Sequence, residues 1–233
     1  MVKKMRLDKL LSNLKYGSRS DIKKYVKEKR VFVNGEVIKD SGMDVDLGKD
    51  IITFDSKRVF CKENIYLMLN KPKGYICANR DGLHRTVLDL IGEPYSRYDL
   101  IIVGRLDIDT EGLLLLTNDG MWAHNIISPK NEHYKKYYVR LRDELANYEA
   151  LLTGVTILDG ENKPYVTKRA FIEPLGKNEC YISICEGKFH QVKRMFEYIN
   201  NEVVYLKRVS IANLELGDLK LGEYKEINKE DVL

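Results

Sequence analysis

The amino-acid sequence predicts an α+β fold in two parts: two helices and a hairpin form a small N-terminal unit, and a mostly antiparallel sheet forms a larger second one. Three observations lead to this prediction. Leucines recur with helical period near the N-terminus, short apolar or alternating runs with few helical segments between them follow from residue 65, and a run of leucines is bounded by Gly112 and the turn sequence NDG. The 233 residues, 44% of them hydrophobic, suffice for one large or two modest domains.

Residues 1–60 have the pattern of a compact unit of two short helices and a hairpin. Ser18, with Asp21 three residues later, has the form of a capping box that begins a second helix. Asn34 and Gly35 stand between alternating apolar residues in VFVNGEVI, which predicts a hairpin, and Ile51–Phe54 closes the unit. The first helix is predicted from leucines at the spacing i, i+3, i+4 and i+7, namely Leu7, Leu10, Leu11 and Leu14.

Positive charge is concentrated in this N-terminal unit. The whole chain carries a formal charge of +4, whereas residues 1–30 contain eleven Lys and Arg against three acidic residues, a net +8. Such a surface is either an ordinary solvated face or a contact for nucleic-acid phosphates. The candidates for phosphate contacts on the outer side of the second helix are Lys23, Lys24, Lys27 and Arg30.

The segment from residue 55 to residue 64 is polar and predicts a connection between the two domains, so the second domain is assigned to residues 65–233. Tyr66–Leu69 predicts a strand, and the sequence NKPKG that follows predicts a turn, because Pro and Gly interrupt the strand. Lys71 and Lys73 flank that turn. The turn is either an ordinary surface feature or a loop that contacts phosphate beside an active site.

The rest of the second domain contains further short elements. Period-two alternation predicts a strand over residues 135–141, and the pattern of EGKFHQVKRMF predicts a helix that begins near Gln191. We also expect helices at 86–91, 121–127 and 144–152, and strands at 155–158, 165–173, 180–185, 203–206 and 208–216.

The sequence VGRLDIDTEGLLLLTNDG combines acidic residues with the leucine run. The run predicts a strand buried on both faces, and this places Arg105, Asp107 and Asp109 on the loop that leads into it. A calcium loop is disfavoured, because its twelfth position would be Asn118 rather than Glu. A surface ion-pair cluster of Arg105 with the two aspartates is the alternative to a catalytic role.

Several classes of function lack their usual sequence signals. The chain contains no Gly-rich phosphate loop, no GxSxG and no HExxH. No apolar run has the length of a membrane span, and the N-terminus has charges among its leucines, so we expect a cytoplasmic protein without a membrane segment or secretory signal. We expect no metal site, because the cysteines form no CxxC pair and have no His at metal spacing; they are Cys61, Cys77, Cys180 and Cys185.

Four motifs in order, NKPKG, GRLDIDTEGLLLLTNDG, KKYYV and EGKFHQVKRMF, resemble those of the RNA pseudouridine synthases. The helix pair and hairpin that precede them resemble the αL RNA-binding domain, named for its occurrence in a small-subunit ribosomal protein. The likeness runs over essentially the whole chain. It is greatest to the group of these enzymes that acts on small-subunit rRNA, and GRLD followed by DTEGLLLLTNDG is its most specific part.

The resemblance implies an isomerisation that needs neither cofactor nor metal. Asp107 corresponds to the essential carboxylate, which either attacks the ribose C1′ atom or removes a ribose proton. Lys193 is the expected partner that keeps Asp107 charged, and Arg105 is the other candidate. Tyr137 corresponds to a tyrosine that stacks on the base and assists proton loss at C5. Near the site, RNA contacts are expected from Lys71, Lys73, Gln191 and Arg194.

The expected function is therefore conversion of one uridine to pseudouridine in small-subunit rRNA or its assembly intermediate, by a monomeric enzyme. The uridine must leave its stack to reach the site, and phosphate contacts would offset that cost. Two alternatives remain: a related enzyme that acts on large-subunit rRNA, and a catalytically silent RNA-binding assembly factor.

Overall fold

The computed structural model describes residues 4–233, so Lys3 of the basic segment lies outside the described residues. The chain forms two compact units. The first extends to Ile65 and includes the later segment Gly92–Leu100; the second comprises Tyr66–Ile91 and Ile101–Leu233. The α+β prediction is confirmed, because helices pack with sheets whose strands are antiparallel in all but one pairing.

The first unit contains two helices and short strands. Its elements are β1 (Lys4–Arg6), α1 (Leu7–Asn13), α2 (Arg19–Lys27), β2 (Val31–Val33), β3 (Glu36–Val37), β4 (Asp44–Asp46), β5 (Ile52–Phe54) and β6 (Lys57–Arg58). One small sheet has the order β3-β2-β5-β6, and β1 pairs separately with β4.

Local chemistry explains these elements. The four leucines of α1 and its C-terminal turn are buried. The capping box at α2 is confirmed: the Asp21 backbone N–H donates to Ser18 Oγ at 3.2 Å, and the Ser18 N–H donates to Asp21 Oδ2 at 2.9 Å. Asn34 and Gly35 have φ angles of 54° and 82°, as a two-residue hairpin with a type I′ turn requires.

The segment Gly92–Leu100 packs within the first unit although it is distant from it in sequence. The Lys62 backbone N–H donates to the Tyr98 hydroxyl at 2.8 Å, and the Arg97 guanidinium lies 4.3 Å from the centre of the Tyr16 ring. The predicted domains, 1–60 and 65–233, are continuous ranges. The compact units are not continuous, because this segment belongs to the first unit. No local sequence signal marks it, because its contacts join residues more than thirty positions apart.

The second unit is built on one nine-stranded sheet. The strands are β7 (Tyr66–Lys71), β8 (Ile101–Val103), β9 (Glu111–Thr117), β10 (Lys135–Leu141), β13 (Phe171–Pro174), β14 (Glu179–Ile184), β15 (Val203–Ile211), β16 (Leu214–Glu215) and β17 (Tyr224–Glu226). The main path has the order β13-β14-β10-β15-β9-β7-β17, with β16 added to β15 and β8 added to β9. A separate pair is formed by β11 (Thr156–Leu158) and β12 (Pro164–Val166).

Three helices accompany this sheet: α3 (Gly120–Ile127), α4 (Glu149–Thr153) and α5 (Gln191–Tyr198). Short 3₁₀ turns occur at Val87–Leu90, Tyr95–Arg97, Pro129–Asn131 and Lys229–Asp231. Apolar residues of α5 pack on β10 and β14 in one core cluster, and those of α3 pack on β9 in another. No helix among residues 4–233 has the length and apolar character needed to cross a bilayer.

Strand β9 confirms the prediction of a strand buried on both faces, because all seven of its residues are buried. Its neighbour β15 runs parallel to it and pairs Arg208 with Gly112. A Cβ atom on Gly112, whose φ is +107°, would lie 2.2 Å from the Arg208 carbonyl oxygen. Only glycine permits this approach of two backbones.

Several predicted elements differ from those observed. The predicted helix 144–152 is only the five residues of α4, and the predicted strand 165–173 is interrupted. Thr167 exchanges two hydrogen bonds with Val155, and the Ala170 N–H donates to the Leu151 carbonyl, so the chain turns there. The predicted break between 206 and 208 is absent, because β15 continues through its pairing with β10 and β9. The predicted strand 208–216 is instead interrupted after Ile211, where the chain turns back and β16 pairs with β15. The predicted helix 86–91 is a 3₁₀ turn at Val87–Leu90.

Replacement of Gly112 by Ala should lower the free energy of unfolding by about 3 kcal/mol or more, because β9 and β15 would have to separate. Urea unfolding followed by circular dichroism measures this. Gly217→Ala is the control: Gly217 also has a positive φ, +58°, but a Cβ atom added there would have no neighbour within 4 Å. It should cost only about 1 kcal/mol. Equal losses in the two variants would contradict the close-approach argument.

Candidate active site

The loop from Gly104 to Thr110 joins β8 to β9 and carries the predicted catalytic residues. A turn within it is closed by the Thr110 N–H, which donates to the Asp107 carbonyl at 3.1 Å. The Asp107 side chain is 26% exposed. The preceding residue, Leu106, is buried in the core, so the loop is anchored on one side of Asp107 while the carboxylate remains accessible.

Lys71 anchors the same loop from the end of β7. Its side chain is completely buried, and its ammonium group lies 3.0 Å from the Asp107 carbonyl oxygen, 2.8 Å from that of Thr110 and 3.4 Å from that of Ile108. Its own turn supplies a fourth oxygen, the Pro72 carbonyl at 3.1 Å. Burial lowers the pKa of Lys71. Carbonyl dipoles thus replace the water that a buried ammonium group loses.

The NKPKG turn therefore has two lysines in different surroundings. Lys73 is exposed, as a phosphate contact requires, whereas the structure does not place Lys71 where a phosphate could reach it. The Gly74 N–H adds a further bond to the Asp107 loop by donating to the Ile108 carbonyl at 2.8 Å. The turn and the loop are thus joined by several hydrogen bonds.

Lys193, from the first turns of α5, lies between two carboxylates. Its ammonium group is 3.3 Å from Asp107 Oδ2 and 2.7 Å from Asp109 Oδ1. Burial by itself would raise the pKa of Asp109, but the hydrogen bonds and charge of Lys193 offset it and lower that pKa. Burial likewise acts to lower the pKa of Lys193, and Asp109 and Asp107 together raise it. The arrangement keeps the Asp109 carboxylate and the Lys193 ammonium group charged.

His190 also faces Asp107, which sequence reasoning did not predict. Its Nε2 atom lies 3.6 Å from Asp107 Oδ1, and its ring stacks on that of Phe189 with 3.8 Å between the centres. The residue has a left-handed φ of 51° and immediately precedes α5. The signal that could have found it is its position three residues before Lys193, which places both side chains near the same helix end.

Arg105 does not join this group. Its side chain is exposed, and it makes no hydrogen bond or ion pair with any residue in the described range 4–233. The alternative of a surface cluster in which Arg105 pairs with both aspartates is therefore not formed. Lys193 occupies the position between the two carboxylates instead.

Tyr137 lies on β10 and is 7% exposed. It belongs to the same core cluster as Leu106, the residue before Asp107. The buried Arg208 guanidinium carbon is 6.0 Å from the centre of its ring. The predicted tyrosine thus lies on a central strand of the sheet, and its catalytic role stays a prediction.

The segment before α5 is held by a buried carboxylate. Glu186 accepts hydrogen bonds from the Gln191 side-chain amide at 2.8 Å, from the Lys168 backbone N–H at 2.9 Å and from the Tyr165 hydroxyl. Burial and the Glu186 carboxylate raise the pKa of Tyr165 to about 12. Gln191 is itself buried and also accepts from the Lys188 N–H at 3.0 Å, so its amide has a structural role here. Its predicted RNA contact stays a prediction.

The remaining predicted RNA-binding residues differ in accessibility. Lys23, Lys24 and Lys27 are exposed on α2. Arg30 is partly buried: its guanidinium donates to both Asp55 oxygens at 2.8 and 2.7 Å and lies 4.3 Å from the centre of the Tyr25 ring. Arg194 donates to the carbonyl oxygens of Leu158 and Asp159 and covers the Phe189 ring at 4.9 Å.

Metal binding has no geometric support in the described part of the chain. Within residues 4–233, no three His, Cys, Asp or Glu side chains are grouped closely enough to hold a metal ion. The four cysteines are free thiols, and burial raises the pKa of Cys61.

Comparisons with known proteins agree with this architecture. Residues 65–198 match the family described as RNA pseudouridylate synthase, and residues 5–52 match the S4 domain. An RNA pseudouridine synthase of Bacillus subtilis, itself uncharacterized, is 43% identical over 98% of this chain and 97% of its own length. Ribosomal small subunit pseudouridine synthase A of Haemophilus influenzae is 38% identical, with 98% of both chains covered. A crystal structure of a pseudouridylate synthase has a TM-score of 0.66 and 37% identity, again over 98% of both chains.

The match over residues 65–198 defines the chain as an RNA-modifying enzyme, and an S4 domain precedes that match. The chain belongs to the RNA pseudouridine synthases, as its motifs predicted. The predicted α+β architecture and the isomerase class are confirmed with it.

Lys71→Met should lower the free energy of unfolding by about 3 kcal/mol, because the loop carbonyls lose a charged donor. Pseudouridine formation should slow as well, since the loop that carries Asp107 loses its anchor. Urea unfolding and a single-turnover assay measure the two effects. The neighbouring Lys73→Met serves as the stability control and should change unfolding by no more than about 0.5 kcal/mol. A stable Lys71→Met protein would show that the ammonium does not hold the loop.

Proposed function

We propose that this protein converts one uridine of small-subunit rRNA to pseudouridine in the cytoplasm, with Asp107 as the essential carboxylate. The observation that carries the proposal is the accessible Asp107 carboxylate, held on an anchored loop with the Lys193 ammonium 3.3 Å away. The choice of small-subunit rRNA rests on relatives named ribosomal small subunit pseudouridine synthase A. The relative from Haemophilus influenzae matches 98% of this chain.

The reaction is an isomerisation and is balanced within the nucleotide. The bond from uracil N1 to ribose C1′ breaks, a bond from C5 to C1′ forms, C5 loses a proton and N1 gains one. Asp107 either attacks C1′ and displaces the base, or removes a ribose proton; both routes require the ionised carboxylate. Lys193 supplies a positive charge 3.3 Å from that carboxylate. No step requires a cofactor or a metal ion.

The other predicted residues support this chemistry. Tyr137 offers a ring for stacking on the uracil and a hydroxyl that assists removal of the C5 proton. Arg105 is exposed and free to contact RNA once the uridine has left its stack. The exposed lysines of α2 and Lys73 bind phosphates and offset the cost of moving the base.

Asp107→Asn should lower single-turnover pseudouridine formation by about 10⁴-fold or more, because the amide retains the shape of the side chain but neither its charge nor its basicity. RNA affinity should be unchanged, since the lysines that bind phosphate remain. The assay uses an rRNA fragment transcribed in vitro and protein whose folding is matched by circular dichroism.

One further variant is the control, and another tests the second carboxylate that Lys193 contacts. Asp218→Asn removes an exposed carboxylate far along the chain and should have wild-type activity. Asp109→Asn should give an intermediate defect, because Lys193 loses its nearer partner but keeps Asp107. Substantial isomerisation by the Asp107→Asn protein would remove this carboxylate from the mechanism.

A strain that lacks the gene should lose a single pseudouridine from small-subunit rRNA. Chemical mapping of pseudouridines in both rRNAs, with and without a plasmid copy of the gene, measures this. Loss of a site in large-subunit rRNA would assign the other substrate, and an unchanged map in both rRNAs would favour a silent assembly factor. The plasmid-borne Asp107→Asn variant separates catalysis from any effect of the protein's presence.

A further inference from the structure

One face of the large sheet carries a row of tyrosines that the proposed chemistry does not use. Side chains of β10 alternate, so Tyr137 enters the core while Tyr138 lies on the opposite face. In the sheet register Tyr138 pairs with Tyr181 of β14 and with Lys207 of β15. The concavity there has a volume of about 530 Å³ and is lined by Tyr138, Arg140, Tyr181, Tyr205, Lys207 and Val209.

The Tyr138 ring is in contact with each of the other two rings. The centre of the Tyr138 ring lies 6.0 Å from that of Tyr181 and 5.9 Å from that of Tyr205, with edge-to-face geometry in both pairs. All three side chains are partly exposed. The Tyr205 hydroxyl donates to Glu111 Oε2 at 2.6 Å, which fixes one end of the row beside the start of β9. We call Tyr138, Tyr181 and Tyr205 the tyrosine row.

Cations surround the tyrosine row. Lys136 lies 4.5 Å from the centre of the Tyr181 ring, and Lys73 lies 4.9 Å from that of Tyr205. Glu173 pairs with Lys136 and Glu179 pairs with Arg140, so those two charges are partly neutralised. Lys207 and Lys73 form no ion pair with a carboxylate anywhere in residues 4–233.

We propose that the tyrosine row binds a single-stranded segment of the substrate RNA that flanks the target uridine. Aromatic rings on an open sheet face offer stacking surfaces for bases, and neighbouring cations attract the backbone. Lysine side chains are flexible, so Lys73 and Lys136 can move their ammonium groups from the rings to phosphates. The inference rests on the proposed function only in taking RNA as the substrate.

The position of Lys73 connects this surface to the candidate active site. It is the exposed lysine of the turn whose other lysine, Lys71, holds the Asp107 loop. A strand that leaves the site past this turn would reach the Tyr205 end of the row first. A duplex fits the surface poorly, because its bases are stacked on each other and cannot stack on the rings.

The test compares the full-length protein with Tyr138→Leu and Tyr181→Leu, which keep an apolar side chain in each strand but remove the ring. Fluorescence anisotropy with a short single-stranded oligouridylate measures affinity. We expect at least about fivefold weaker binding for each ring removed. Tyr198→Leu, at an exposed tyrosine on α5 that is 53% accessible, is the control and should bind as the wild type does.

Two more measurements locate the contact. The same oligonucleotide containing 5-iodouridine should crosslink, on irradiation, to peptides that contain Tyr138, Tyr181 or Tyr205. With an rRNA fragment as substrate, the Tyr138→Leu and Tyr181→Leu variants should raise KM at least about fivefold and leave kcat within about twofold of wild type.

Unchanged oligonucleotide affinity in folded Tyr138→Leu and Tyr181→Leu proteins would overturn the proposal, and so would crosslinks confined to other peptides. Unchanged affinity is the result expected if this face of the sheet binds a protein partner instead of RNA. Tyrosine-dependent binding in a protein that forms no pseudouridine would uphold this inference and refute the proposed function. If the protein forms pseudouridine and neither Tyr138→Leu nor Tyr181→Leu changes RNA binding, the proposed function is upheld and this inference is refuted.

Discussion

The candidate active site is built around the buried ammonium group of Lys71. A buried charge is tolerated only where oxygen atoms replace its lost hydration, and the carbonyls of the Asp107 loop supply three of the four that surround it. The charge and the loop conformation therefore fix each other. Because Leu106 is held in the core as well, the Asp107 carboxylate is positioned from both ends of its loop.

The second unit separates its chemical roles by the alternation of strand side chains. On β10, Tyr137 lies in the core cluster that also contains Leu106, and Tyr138 lies with two other tyrosines on the open face. The close pairing of Gly112 with Arg208 joins β10 and β15 to the buried strand β9. A rigid sheet thus holds the carboxylate loop at the start of its interior strand β9 and presents two different surfaces.

Elements with strong local signals could be predicted. The capping box of Ser18 and Asp21, the hairpin at Asn34 and Gly35, and the buried strand β9 all depend on residues a few positions apart. The interruption near Thr167 depends instead on hydrogen bonds to Val155 and to α4, which no alternation of apolar residues records. Tertiary hydrogen bonds there overrode the local preference for a strand.

Periodicity, turn residues and motifs are local properties of the chain, and they were enough to predict the two-part α+β architecture and to bring Asp107, Tyr137 and Lys193 forward as candidates. The burial of Lys71 beneath the loop, and the closer contact of Lys193 with Asp109 than with Asp107, became known from the folded chain. These contacts join residues 36 and 84 positions apart. Their geometry is set by how the strands and α5 pack, and a local pattern contains no information over such a separation.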